Sequence, residues 1–302
     1  MQIPSTYHMH FFDSEFLKSV VSDSDTRHQQ VTAGRFEGKL KRIILPDMVI
    51  DHGEYNLKLI AQGAFSPKTV TLMILHRMDE IGKVCGMDLQ GGSLIVLPVH
   101  ADAEFTIPQH TSWTAINVPK AHLEKYGFMV DTTQLFTLDK TSFHQFNQAY
   151  LRLEQQLSEG IESQEVLQDM ILSHFIENIE SLENRLDLRY SDGYLMALNV
   201  RDYIIEHIEE PLQMYKLCQL TNKSVRTIER TFKQVFNITV REYHSSYRLS
   251  LVRQTLIHNK NVSISNVALQ YGYFHLSRFS NNYKKLFGEL PSQTLRETNI
   301  AM

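Results

Sequence analysis

Cysteine is nearly absent: the 302 residues hold two, Cys85 and Cys218. A pair so far apart supplies neither a disulfide framework nor a metal-binding spacing, and a reducing compartment is expected. Long apolar runs are missing as well. No stretch of about 18 apolar residues is present to cross a bilayer. The N-terminus lacks a basic segment leading into an apolar one with a small-residue cleavage site, so a soluble, cytoplasmic protein without a membrane partner is expected. Net charge is small, with 30 basic against 34 acidic residues, which argues against a surface that binds polyanions everywhere. Catalytic and cofactor signatures are missing too. His52, His76, His100 and His110 include no His-x-His pair, no His-Glu-x-x-His occurs, and Gly91-Gly92 lacks the further residues of a phosphate loop. No Gly-x-Ser-x-Gly elbow is found. Neither an enzyme nor a cofactor is expected.

What charge there is lies unevenly. Residues 192–302 carry 14 Lys and Arg against 9 Asp and Glu, leaving 16 and 25 for the rest. A basic last third on an acidic chain is the footprint of a local polyanion site. Texture divides the chain similarly. Residues 1–135 read as a β-rich regulatory domain: a loosely attached polar arm to about residue 30, with a short helix near Asp13–Val20, then short strands. These are Lys39–Leu45, Tyr55–Gln62, Thr69–His76, Ser93–Pro98 and Trp113–Val118, punctuated by Gly and Pro as in a sandwich or small barrel. Trp113, Tyr55, Phe65 and Phe105 are bulky enough to line a ligand pocket, although aromatics of a β domain more often form its core.

Residues 136–191 read as long helices. Phe143, Phe146, Tyr150, Leu153 and Leu157 form one apolar stripe, and after Ser158-Glu159-Gly160 a second stripe runs to Leu186. Its members Leu167, Ile171, Phe175, Ile179 and Leu182 either pack on the chain's own barrel or form a dimer seam. Arg189 to Gly193 would be a hinge.

Within 192–302 one pattern occurs twice. The first copy has Leu217-Cys218, Asn222, Ser224, Ile228, Phe232-Lys233 and Phe236-Asn237. The second has Val267-Ala268, Gly272, His275, Phe279, Tyr283-Lys284 and Phe287-Gly288. Each puts Asn or Gly, which tolerate a left-handed backbone, at a turn between a short helix and a longer one, the sequence shape of a helix-turn-helix. Periodicity turns Val225, Ile228, Phe232 and Phe236 inward on the first longer helix, and Leu276, Phe279, Tyr283 and Leu286 or Phe287 on the second. That leaves Arg226, Thr227, Glu229, Arg230 and Lys233 outward on one, and Ser277, Arg278, Asn281, Asn282, Lys284 and Lys285 outward on the other, as candidate DNA contacts. Arg suits guanine, Asn suits adenine, and Glu229 either accepts from cytosine or orients a neighbouring cation. Lys284 and Lys285 would add a sequence-independent share. Between the two units a helix from about Val240 to His258 would be roughly 27 Å long, a spacer close to the roughly 34 Å turn of B-DNA.

The run from Ile264 to Tyr273, then Ser277, Phe279, Tyr283-Lys284-Lys285-Leu286-Phe287-Gly288 and Pro291-Ser292, resembles the C-terminal signature of the AraC/XylS family of bacterial transcription regulators. Leu217, Ser224, Ile228, Arg230, Phe232-Lys233, Tyr243, Arg248-Leu249 and Arg253 agree more loosely. Over the front part the likeness is general, nearest to regulators resembling that of the ethanolamine operon. The resemblance implies an α+β chain: a cupin-like barrel or sandwich with following long helices, then an all-α domain of two helix-turn-helix units joined by a long helix. It also implies Arg226, Arg230, Ser277 and Asn281 at DNA, contact with RNA polymerase, and a homodimer. The chain departs from the pattern with Cys218 for Ala, Asn222 and Asn237 for turn glycines, Val240 for Pro, and Asn281 for a frequent Arg. Two readings follow. In one, a transcription activator is modulated by a small-molecule effector in its front domain. In the other, that domain binds no small molecule and serves dimerisation or a protein partner. A cavity of a few hundred Å³ would favour the first.

Overall fold

The structure is a computed structural model that describes residues 5–20, 25–159, 164–180, 182, 185–188, 190–259 and 261–300. The front part opens with β1 (Ser5–Phe11), α1 (Phe16–Val20), β2 (Asp25–Gln30), β3 (Gly38–Leu45), β4 (Met48–Tyr55), β5 (Leu59–Ala64) and β6 (Thr69–Arg77). It continues through β7 (Gly82–Val84), β8 (Met87–Leu89), β9 (Ser93–Leu97), β10 (Asp102–Ile107), β11 (Thr111–Pro119), α2 (Lys120–Lys125) and β12 (Gln134–Thr137). Next come α3 (Lys140–Glu159), α4 (Gln164–Glu180) and β13 (Leu186–Asp187). The last part is helical: α5 (Asp192–Glu206), α6 (Met214–Thr221), α7 (Val225–Phe236), α8 (Val240–His258), α9 (Ile264–Gln270), α10 (Leu276–Phe287) and α11 (Pro291–Ile300).

Two antiparallel sheets make the front part. One runs β1-β3-β4-β11-β6-β9-β12-β13 and the other β2-β5-β10-β7-β8. Side-chain alternation explains why the large sheet is apolar on both faces. In β9, Ile95 and Leu97 enter the core between the sheets, whereas Leu94 and Val96 enter a second core under α3 and α4. In β11, Trp113 and Ala115 take the first side and Ile116 and Val118 the second.

The helical stripe packs in that second core. Leu167, Ile171, Phe175 and Ile179 are all buried with Leu172, Ile176 and Phe146 against the sheet, and Leu182 packs on the same cluster. Of the two alternatives for these five residues, packing on the chain's own barrel is the one their burial favours. Each such side chain fully taken from water contributes about 1.5–3 kcal/mol. Exposed apolar residues of α4 are instead Val166 and Met170.

Other expectations need correction. The arm before residue 30 is not loose: β1 pairs with β3 from Ser5↔Ile44 to Phe11↔Gly38, and β2 pairs with β5. The single strand expected over Tyr55–Gln62 is two, β4 and β5, because the chain turns at 56–58. The second helical stripe stops at Glu180, and Leu186 pairs with Leu135 as a strand. Gly160 of the expected break, Arg189 of the expected hinge, and the side chains of Leu153 and Leu157 lie outside the described residues. Of that hinge, Ser191 caps α5 by accepting the Tyr194 N–H at 3.1 Å.

Candidate nucleic-acid interface

The helical part is two copies of one unit. In the first, α6 ends at Asn222, whose φ of 52° is left-handed, and α7 ends at Asn237 with φ 54°. In the second, the turn after α9 passes through Gly272 (φ 74°) and α10 ends at Gly288 (φ 74°). At Gly272 a Cβ would also lie 2.4 Å from the carbonyl oxygen of Glu209, so the site excludes a side chain on both grounds. Ser224 caps α7 by accepting the Thr227 N–H at 3.2 Å. Thr239 and Glu242 form a reciprocal capping box at the start of α8, which compensates for the missing proline at Val240.

Burial follows the period of 3.6. On α7, Ile228, Phe232, Val235 and Phe236 are buried, and on α10, Phe279, Tyr283, Leu286 and Phe287. The first residue of each helix departs from expectation: Val225 and Leu276 are exposed, because a first-turn side chain projects beyond the end of the packed surface. Arg226, Arg230, Lys233, Ser277, Arg278, Asn281, Lys284 and Lys285 stand exposed, while Thr227 and Asn282 are half-buried. Among the described residues none of these cations is paired with a carboxylate.

Glu229 behaves differently from its neighbours. It is half-buried and its Oε2 accepts the N–H of Val240 at 3.4 Å. Here it ties α7 to the start of α8, and among the described residues no ion pair joins it to Arg226 or Lys233. Two arginines shared with the family-like pattern also serve packing. Arg248 is buried, with Nε donating to the Ile208 carbonyl at 2.8 Å. Arg253 donates to Asp13 at 2.9 Å and is also paired with Glu289.

Sequence reasoning missed the surface on which the small sheet meets the helices. Arg27, Gln29, Gln62, Glu104 and Thr106 share the outer face of β2, β5 and β10, as the register places Arg27 and Glu104 opposite Gln62. Arg201 Nη1 donates to Glu104 Oε2 at 2.8 Å, and Arg27 Nη1 donates to the Tyr247 hydroxyl at 2.5 Å. Glu104 Oε1, Gln62 Oε1 and the Tyr243 hydroxyl are buried there without a hydrogen-bond partner. Burial lifts the Glu104 carboxyl to about 7 despite the attraction of Arg201. The wholly polar run of β2, Asp25–Gln30, of which four residues are buried, was the signal available in the sequence.

Inside the barrel lies a cavity of about 60 Å³. Trp113, Tyr55, Phe65 and Phe105 do line it, and all four also belong to the apolar core. His28 is among the lining residues; its Nδ1 has no partner, and burial lowers its pKa to about 4. The histidines read as isolated are not all so. His52 Nδ1 and His76 Nε2 both reach Thr114 Oγ1, at 2.9 and 2.7 Å. Among the described residues no group of three or more His, Cys, Asp or Glu could hold a metal ion, and no helix is long and apolar enough to cross a membrane.

Residues 217–297 match a family described as a helix-turn-helix domain. The chain is 32% identical over 139 residues to the XylDLEGF operon transcriptional activator 3 of Pseudomonas putida, covering 45% of this chain and 41% of that protein. It is 36% identical over 128 residues to the XylDLEGF operon transcriptional activator 2 of the same organism, covering 42% of this chain and 80% of that protein. A crystal structure of a probable AraC family transcriptional regulator from Rhodopseudomonas palustris is 27% identical, covering 34% of this chain and 97% of that one, at a TM-score of 0.33; a score that low says nothing about shape. The chain spans about two fifths of the length of the first of these relatives. With four fifths of the second activator matched at this identity and the double unit in place, the chain belongs to the AraC/XylS family.

Proposed function

We propose that this protein is a sequence-specific DNA-binding regulator that activates transcription by placing α7 and α10 in successive major-groove segments. The observation that carries this reading is the pair of recognition helices: each buries its apolar side and leaves unpaired cations and polar groups exposed. Base reading falls to Arg226 and Arg230 on α7, and to Ser277, Arg278 and Asn281 on α10. Lys233, Lys284 and Lys285 supply phosphate attraction, with Thr227 and Asn282 at the margins. Activation implies contact with RNA polymerase, in keeping with relatives described as activators. A homodimer would have to use a surface other than the buried stripe of α4, such as the side bearing Val166 and Met170.

The front part is the regulatory half of this proposal. Its cavity is smaller than the 300–1,000 Å³ typical of ligand pockets and has room for roughly four water-sized groups. An effector held there is accordingly a molecule of a few heavy atoms, uncharged and able to hydrogen-bond the neutral imidazole of His28. Adaptable Met73 and Met78 in the lining set how far the site can widen. The second reading, a front part that engages a protein or a second copy, is favoured by that same small volume. A footprint on the DNA upstream of its own gene, with and without candidate metabolites, tests both. Protection of two segments one helical turn apart is expected, and no protection under any condition overturns the regulator reading.

A further inference from the structure

The last carbonyls of a helix have no partner within it. In both recognition helices the left-handed cap uses the carbonyl one turn back, with Asn237 N donating to Lys233 O and Gly288 N to Lys284 O, each at 2.9 Å. Three of the carbonyls beyond those accept from the front sheets and their loops. On α7, Thr106 Oγ1 donates to Phe236 O at 3.2 Å and Lys58 Nζ to Asn237 O at 3.0 Å. Asn237 Nδ2 returns a bond to Ile81 O at 2.8 Å. On α10, Gly34 N donates to Leu286 O at 3.0 Å and the buried Gln30 Nε2 to the same oxygen at 2.6 Å. Between them α8 is held within its first two turns, where Gln29 Nε2 donates to Ser246 Oγ at 2.7 Å and Tyr243 O at 3.2 Å.

The front part therefore holds the same end of both recognition helices. It does so without covering Arg226, Arg230, Ser277, Arg278 or Asn281, which remain exposed. Occlusion is not what this docking achieves; orientation is. We propose that the front domain is a brace for DNA recognition, in which Lys58 and Thr106 on α7, and Gln30 with the Gly34 amide on α10, are positioning residues. They fix the angle between the helices beyond what α8 alone enforces. The positive end of Lys58 also suits the negative end of the α7 dipole. Only the consequence for DNA rests on the regulator reading; the brace itself does not.

The test has two arms on the full chain. Spin labels go on Lys223→Cys and Gln270→Cys, both exposed sites, with Cys218→Ala and the buried Cys85 left in place. Without DNA, the braced chain gives one narrow label-to-label distance. Gln30→Ala with Lys58→Met, or the milder Thr106→Val alone, broadens or shifts that distance while the helical circular dichroism stays unchanged. An unaltered narrow distance in both variants overturns the brace. In the second arm, a duplex selected from a random pool by the intact chain is compared with versions scrambled at either contacted segment. The brace variants lose on the order of ten-fold in affinity on the full duplex and nothing on the scrambled ones. Equal loss on all duplexes overturns the positioning role. If the intact chain selects no duplex while the distance still broadens, the brace stands and the regulator reading falls.

Discussion

Glu104 is 5% exposed, gives one oxygen to Arg201 and leaves the other unpartnered. Around it lie Arg201, Asp202, Asp102 and the Tyr243 hydroxyl. Burial outweighs the guanidinium, so the carboxyl that ordinarily titrates near 4.5 does so near 7 once buried. A raised acid pKa means the docked state holds the proton more tightly. The stability it contributes is complete below about pH 4.5 and is lost as pH rises through about 7, by at most about 3 kcal/mol. His28, His76 and His244, each lowered to about 4 by burial, oppose that decline below about pH 6.5. The Glu104 share is therefore a difference: in denaturant titrations between pH 5 and 8, Glu104→Gln should gain stability relative to the intact chain as pH rises, and an identical slope in both would assign the dependence elsewhere. On the DNA side, Arg226→Ala should lose roughly 1–3 kcal/mol on duplexes with the preferred base and little on random ones. Lys284→Ala should weaken all duplexes alike and lower the salt slope by about one unit. At this scale the sequence was legible where a helix period decides which way a side chain faces, as for Arg226 and Asn281. It did not show the partner of Glu229, Val240 N, which is supplied by the start of the next helix.

Among elements, α4 separates the two fates of an apolar stripe. Ile171→Ala should cost about 2–4 kcal/mol of unfolding free energy and leave the mass of the native particle unchanged. A native mass that halves in the variant would restore the intersubunit seam. Thr239→Ala, which removes one half of the capping box on α8, should cost about 1 kcal/mol. The helices were readable because their cores are local: Phe232 and Phe236 sit one turn apart and meet Tyr243 just after the following turn. β2 was not readable. Its polar residues offer no alternation of apolar and polar, and what buries them is Tyr243, Ser246 and Leu286, more than 200 positions away. Turn residues marked β6, β9 and β11 correctly but could not reveal that the chain passes from one sheet to the other between Tyr55 and Leu59.

For the whole molecule, the first helix-turn-helix and the barrel interior form one continuous apolar cluster, reaching from Leu59 and Phe105 to Phe232 and Tyr243. The second unit has its own, centred on Val252, Phe279 and Tyr283. The front part is thus joined to the first unit by a shared core and to the second by a few polar bonds, so loosening should begin at α10. Of the basic residues after position 192, Arg201 and Arg253 are taken up by Glu104 and Asp13 of the front part, whereas Arg226, Arg230, Lys233, Arg278, Lys284 and Lys285 are exposed, where they can meet a polyanion. The most direct measurement is an equilibrium titration of the intact chain against its selected duplex at several salt concentrations, repeated with Arg226→Ala and with Ser277→Ala. Two-helix reading predicts a steep salt dependence in all three and a loss of affinity in each variant confined to its own half of the duplex. A loss in both variants that falls on the same half, or on random DNA equally, would contradict it.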